Sequence, residues 1–332
     1  MILKTKSLCP ILLIVLFFFG TYSAVSQIDL GSIENFSLYT SNGAVSNTAT
    51  SYISGDIGTD LGAISGFDPA TVVNGSIQNT NGITAQANLD LNAAIAQITA
   101  TTTTSTHIPV FGNGETLTPG VYSQTAAASL DGTLTLDAQG DSNAQFIFKI
   151  GGAFSTAAGA SVVLINCASP GNIFWLSGGA ISMAASTTIS GNLISNPGAV
   201  DIGSGGNITG RMLSTTGAIS VYESIINNGI PIVDTITHPT CGAATGSFQI
   251  INYDATNTYN FTPSVVSVSA TGLVTANPNT YNFTVTINTG ACSFSATSAN
   301  VVINAGSLTN YWTGTISSDW NNIGNWTCAV PS

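Results

Sequence analysis

Few side chains in this sequence have the type and spacing that chemistry needs. The two histidines, His107 and His238, each sit just before a proline turn, with no cysteine or carboxylate at ligand spacing. The best carboxylate pair, Asp137 and Asp141, brackets Gly140 in the run LDAQGD. That is the pattern of a β-turn in which aspartate bonds its own backbone, and two carboxylates supply too few oxygens for a hard cation. Gly203-Ser204-Gly205-Gly206 has no strand-then-helix context, which a phosphate-cradling loop requires. Among the cysteines, Cys167 reads as a buried free thiol, while Cys241 and Cys292, at opposite ends of one module, read as a disulfide. These residues predict no catalytic centre, no metal site and no cofactor, and so a protein that is not an enzyme.

The chain around them is acidic and sparsely charged. Its 332 residues carry 15 acidic and 4 basic side chains, a formal net charge of -11, and charged residues make up 6%, against about 25% in a typical soluble protein. With 44% hydrophobic residues the chain is too apolar for disorder, so its surface must be hydroxyls, amides and bare backbone. A nucleic-acid partner is excluded, because phosphate binding needs clusters of Lys and Arg. Residues 1–26 read as a secretory signal peptide. Lys4 and Lys6 precede an apolar stretch from Leu8 to Phe19 that is too short to span a bilayer, and Ala24 and Ser26 suit cleavage before Gln27. The mature chain keeps Lys149 and Arg211 against all 15 acids, a net charge near -13. No later stretch is long and apolar enough to span, so a secreted or cell-surface location without membrane insertion is expected.

The elements that would position any site are strands, with one exception. Between Thr84 and Ala100, Leu91, Ala94, Ile95 and Ile98 follow the i, i+3, i+4, i+7 pattern, which predicts one helix with a single buried face over about 84–100. Around it the pattern apolar-polar-Gly-any-apolar occurs at Ile53–Ile57, Val73–Ile77, Leu130–Leu134, Ile189–Leu193 and Ile208–Met212. The last two lie 19 residues apart and their flanks, ISMAASTTISGNLIS and VDIGSGGNITGRMLS, align without a gap; a third copy starts 19 residues on, at Ile219. Such self-similarity with strand periodicity predicts stacked β-coils, with glycine at a corner that needs positive φ. From about Pro239 the texture changes to alternating runs, which predict a small immunoglobulin-like β-sandwich over 236–306. Trp312, Trp320 and Trp326 then begin a further, truncated module over 307–332, while Trp175, inside the run NIFWL, reads as core.

Stacked coils repeat equivalent residues about every 4.8 Å. A flat face of hydroxyls and methyls at that spacing can hold ordered water, and charge would spoil it because ionic hydration competes with an ice-like arrangement. The segments YISGDIGTD, TLTPGVYSQTAAASLDGTLTLDAQGDSNAQFIFKIGGAFSTAAGASVVLINC, NIFWLSGGAISMAASTTISGNLIS and ISVYESIINN, in that order, carry more than texture. Over residues 28 to about 230 the chain resembles the bacterial and fungal ice-binding proteins of the DUF3494 type. The resemblance implies a mainly β fold: a discontinuous right-handed β-solenoid over 27–235, triangular in section, with one long helix alongside. The part after Pro239 resembles modules of secreted Bacteroidetes surface proteins.

Active members of that family often build their ice-binding face on a T-A/G-x-T/N pattern. Thr48-Ala49-Thr50-Ser51 matches it, and Ser204-Gly205-Gly206-Asn207 matches with Ser for Thr. Ala185–Thr188 and Ala158–Ser161 keep the last polar member, and Glu223-Ser224-Ile225-Ile226 puts a charge and an isoleucine in the column. The resemblance therefore implies an ice-binding set of Thr48, Thr50, Ser51, Thr71, Ser161, Thr187, Thr188, Ser204 and Asn207. The implied partners are an ice crystal surface and, beyond it, a cell surface or other modules of the same protein. The degenerate columns imply moderate activity, seen as inhibition of recrystallisation. The competing reading is a non-ice adhesin or polysaccharide-binding surface protein on the same solenoid. Saccharide binding wants exposed aromatics in a groove, whereas ice wants a flat, uncharged face.

Overall fold

The 19-residue spacing becomes one turn of a coil. In the computed structural model, which describes residues 27–67, 72–73, 75–240, 244–305 and 312–326, each coil contributes a short strand to each of three walls. Ile173–Ser177 lies in the first wall, Ile181–Met183 in the second, and the start of Thr188–Ser195 in the third. Successive coils pair in parallel: Ile181 opposite Val200 opposite Ile219, and Thr188 opposite Asn207. Alternation then aims every second residue inward. Trp175 is fully buried, stacked between Phe148 at 3.8 Å and Phe154 at 5.1 Å, and its indole N–H donates to the Ser190 carbonyl at 3.1 Å.

Glycine sits where one coil's backbone meets the next. Gly191 and Gly210 have φ of +117° and +151°, and a Cβ on Gly210 would lie 1.9 Å from the Gly191 carbonyl oxygen. Not every copy of the glycine repeat marks this corner. Gly132, in Leu130–Leu134, turns the chain between the second and third walls instead.

The solenoid is discontinuous. Phe36–Asn42 pairs on one side with Asn207–Ser214 and on the other with Asp56–Leu61, so the first coil lies between the last and the second. After Ile77–Asn79 the chain returns through the helix Gly82–Ala100, and coiling resumes at Ser105–Thr106. The helix starts where Asn81 accepts from the amides of Ile83 and Thr84 while Thr84 Oγ1 accepts from the Asn81 amide, a capping box. It buries Leu91, Ala94, Ile95 and Ile98 as predicted, together with Thr84 and Ala87, against Val121, Ile147, Phe174, Ile194 and Leu213 of the first wall. At its C-terminus Lys149 Nζ donates to the carbonyls of Thr99 and Thr101, where a cation is favoured.

Beyond the coils the pairing becomes antiparallel. One sheet orders Val233–Thr237, Gly246–Ile250, Leu273–Ala276 and Ser267–Val268; the other joins Thr258–Thr262, Asn279–Thr289, Cys292–Thr297 and Val301–Ile303. They share a core around Phe248, Tyr281 and Phe283. In the last described stretch Trp312 and Trp320 stack at 5.4 Å and Trp326 meets Trp320 edge-on at 4.1 Å. Residues 1–26, read as the signal peptide, lie outside the described residues.

The expected Cys241–Cys292 disulfide is corrected. Cys292 bonds Cys167, with Cα atoms 5.0 Å apart across a separation of 125 residues, and Cys241 lies outside the described residues. Spacing in the sequence could not show this, because the turn between Asn279–Thr289 and Cys292–Thr297 butts against a solenoid corner. There the Cys167 amide donates to the Thr289 carbonyl at 2.6 Å. Cys167 is thus neither free nor structural by packing alone; it ties the C-terminal sheets to the coils. Peptide mapping without reduction should recover Cys167 linked to Cys292, and reduction should lower stability by up to about 5 kcal/mol on the loop-closure account. A Cys241–Cys292 peptide would overturn the pairing.

Candidate functional site

Each wall has an outer face, and two of the three are occupied. The helix covers the first. The C-terminal sheets stand over part of the third, leaving a cleft of about 770 Å³ whose lining includes Thr188, Asn207 and Val163 on one side and Tyr253, Tyr259 and Phe294 on the other. The second wall, eight short parallel strands from Val110–Gly112 to Ile64–Ser65, has no described element packed on it.

On this open wall the chain repeats the triplet alanine–apolar–serine. It occurs as Ala44-Val45-Ser46, Ala63-Ile64-Ser65, Ala127-Ala128-Ser129, Ala153-Phe154-Ser155, Ala180-Ile181-Ser182 and Ala218-Ile219-Ser220, with Ala199-Val200-Asp201 as the variant. The central residue points inward and its neighbours point out. Register sets Val110, Ser129, Ser155, Ser182, Asp201, Ser220, Ser46 and Ser65 side by side across all eight strands. The alanines form a parallel file, locked by each carbonyl accepting from the next coil, as in Ile181 to Ala199, Val200 to Ala218 and Ile219 to Ala44 at 2.8–2.9 Å. At about 4.8 Å per strand the register of eight runs for roughly 34 Å and the seven alanines for roughly 29 Å. Asp201 is the charged member, and its carboxylate accepts from the Ser182 hydroxyl at 2.7 Å. Tyr222, 44% exposed and in register with Thr48, rises from the edge of the wall.

The T-A/G-x-T/N segments occupy the corner between the open and third walls. Their second residue is left-handed: φ is +65° at Ala49, +71° at Gly159, +59° at Ser186 and +72° at Gly205. A small residue there answers the backbone, since bulky side chains avoid that region. Between Val221 and Ile225 the chain turns this corner in one residue fewer than between Ile202 and Asn207, the residues with which they pair. Glu223 takes the left-handed place, with φ +44°, and Ile226 pairs with Ile208 in the core.

Of the residues implied as contacts, Thr48 and Thr50 are exposed, and Thr48 ends an open-wall strand. Ser51 and Thr187 are corrected: both are fully buried. The Thr187 hydroxyl pairs with Thr156 at 2.7 Å and donates to the Ala184 carbonyl at 2.8 Å, while Ser51 Oγ accepts from the Ser224 amide. Thr188 and Asn207 point out of the third wall into the cleft, and Ser161, opposite Thr188, meets Thr133 at 3.0 Å. The Ser204 hydroxyl donates to the Glu223 carboxylate at 2.5 Å. Thr71 lies outside the described residues. The alanine–serine files were missed; the recurring triplet, preceded by glycine in five of its six copies and in the Asp201 variant, was the signal that could have found them.

The residues that could do chemistry do not gather into one site. The His107 ring stacks on Phe111 at 4.0 Å and meets Glu115 at 2.8 Å. Asp137 accepts from the Gln139 amide and the Asn166 side chain, and Asp141 from the Asn143 amide, as turn residues do. Among the described residues no three His, Cys, Asp or Glu side chains converge as a metal site would. Arg211 is held by the Glu34 carbonyl and the Asn192 amide oxygen, and burial pulls its pKa down to about 10.

Residues 39–227 match the family described as Ice-binding-like. An ice-binding protein of Nostoc sp. (strain HG1) is 36% identical over 167 residues, covering 50% of this chain and 61% of that protein. Ice-binding protein 1 of Shewanella frigidimarina (strain NCIMB 400) is 30% identical over 198 residues, covering 50% of this chain and 22% of its own length. The chain thus spans less than two thirds of either relative. The crystal structure of an ice-binding protein from an Antarctic Flavobacteriaceae bacterium superposes with a TM-score of 0.59 at 43% identity, over 64% of this chain and 50% of that one. One from Antarctomyces psychrotrophicus gives 0.57 at 29% identity, over 61% and 98%.

The buried placement of Thr187 has a measurable consequence. Thr187→Val keeps its shape but removes the bonds to the Thr156 hydroxyl and the Ala184 carbonyl, so urea unfolding should report a loss of about 1–3 kcal/mol. An unchanged midpoint would mean that the hydroxyl faces solvent.

Proposed function

The chain belongs to the ice-binding-like family, and from that premise we propose that it adsorbs to ice through its open wall. The observation that carries this reading is the pair of files, alanine beside serine on six of the eight strands, with alanine beside Asp201 on a seventh. Regular methyls confine water and regular hydroxyls anchor it, so a lattice-like layer costs little to form on this wall. Adsorption sums many weak contacts in register, which needs a face that is flat and uncovered. The helix wall and the third wall lack that access.

Two features limit the strength. Asp201 holds its own organised water in the middle of the serine file, and Tyr222 breaks flatness at the edge. Moderate activity follows, expressed as recrystallisation inhibition and crystal shaping rather than a wide freezing gap. The reading includes export through residues 1–26 to an oxidising compartment, where the Cys167–Cys292 bond persists. It also includes a division into the solenoid over 27–235, the antiparallel unit over 236–306 and a further module beginning at 307, which extend or tether the ice-contacting part.

Partition of the purified chain into a slowly growing ice hemisphere, beside a recrystallisation assay, tests the face. Ser155→Tyr should cut adsorption about tenfold, equivalent to ~1.4 kcal/mol of lost contact, with an unchanged circular dichroism spectrum. Asp201→Ser should strengthen it, and Thr188→Tyr, inside the cleft, should leave it unaltered. Loss in Thr188→Tyr with retention in Ser155→Tyr would move the site to the third wall.

A further inference from the structure

We propose that the cleft between the third wall and the C-terminal sheets binds a neutral, hydroxyl-rich glycan, independently of ice. Its volume of about 770 Å³ falls in the range of roughly 300–1,000 Å³ common to ligand sites. Tyr253 and Tyr259 stack there at 4.9 Å and 24°, both half-buried, which gives a broad aromatic surface of the kind a sugar ring's C–H face packs on. Opposite them, Val163 stays 43% exposed in the cleft.

Polar atoms in the lining complete the pattern. Asn207 Oδ1 and Thr289 Oγ1 are shielded from solvent and have no hydrogen-bond partner. Buried oxygens without partners are rare and costly. Once these two side chains turn toward the cleft, sugar hydroxyls would donate to Asn207 and exchange a hydrogen bond with Thr289. Among the described lining residues, Asp254 is the charged one, and its Oδ1 is already engaged by the amide and hydroxyl of Thr256. An acidic sugar would find no counter-charge, so the cleft selects a neutral one. The two halves come from parts of the chain that the Cys167–Cys292 bond holds together.

Isothermal titration calorimetry of the oxidised full chain with cellotetraose, laminaritetraose and maltotetraose, and with tetragalacturonate as the acidic control, tests this. Saturable binding of at least one neutral tetrasaccharide is expected, with affinity at least tenfold lower in Thr188→Trp, which fills the cleft from an exposed strand position, and in Tyr259→Ala. Thr188→Trp should still adsorb to ice, so failure here leaves the open-wall reading standing and is distinguishable from it. Absence of binding by all three neutral sugars, equal binding of tetragalacturonate, or unchanged affinity in a folded Thr188→Trp protein would overturn the proposal.

Discussion

Everything in this molecule depends on the hydrogen-bonded ladder between one coil and the next. Parallel strands demand a near-constant separation, and short wall strands, many of only two to five residues, give each coil few bonds with which to hold it. The corners must therefore let backbones approach closely. Glycine supplies that approach at Gly210 against Gly191, and again at Gly217 against Gly198, where a Cβ would come within 2.5 Å of the neighbouring carbonyl. Once the ladder is set, side-chain columns follow without further instruction. Large apolar residues stack inside, and whatever alternates with them is displayed outside at the same repeat.

Much of this was legible before the structure. The helix announced itself through Leu91, Ala94, Ile95 and Ile98, because a period of 3.6 stands out against strand alternation. The gap-free 19-residue offset between the segments at Ile181 and Val200 is the ladder itself, written in sequence. The burial of Trp175 followed from its apolar neighbours. Each of these is a local property of the chain.

The outward surface was harder to read, because it depends on what covers each wall. Thr188 and Asn207 look like face residues in any single coil, and they do point outward; the C-terminal sheets turn their face into the side of a cleft. The pairing of Cys167 with Cys292 was hidden for the same reason, since it joins parts that only tertiary packing brings together. Ser51 and Thr187 show a different confusion. Their motif describes a left-handed corner, and the hydroxyl at its inner side satisfies buried backbone instead of meeting solvent.

The insertion of the first coil between the last and the second bears on how such a molecule can change its size. A regular repeat protein lengthens by copying a terminal unit. Here the first and last coils lie side by side within the stack, and the outer rims belong to coils that the helix must connect across the length of the first wall. At 1.5 Å per residue, its 19 residues reach about 28 Å. The helix is thus a ruler: a duplicated coil between Ser105 and Asn207 would widen the displayed wall by one strand and at once leave the helix short by about three residues. Wall width and helix length are bound to vary together through descent, and lineages can be expected to change both or neither.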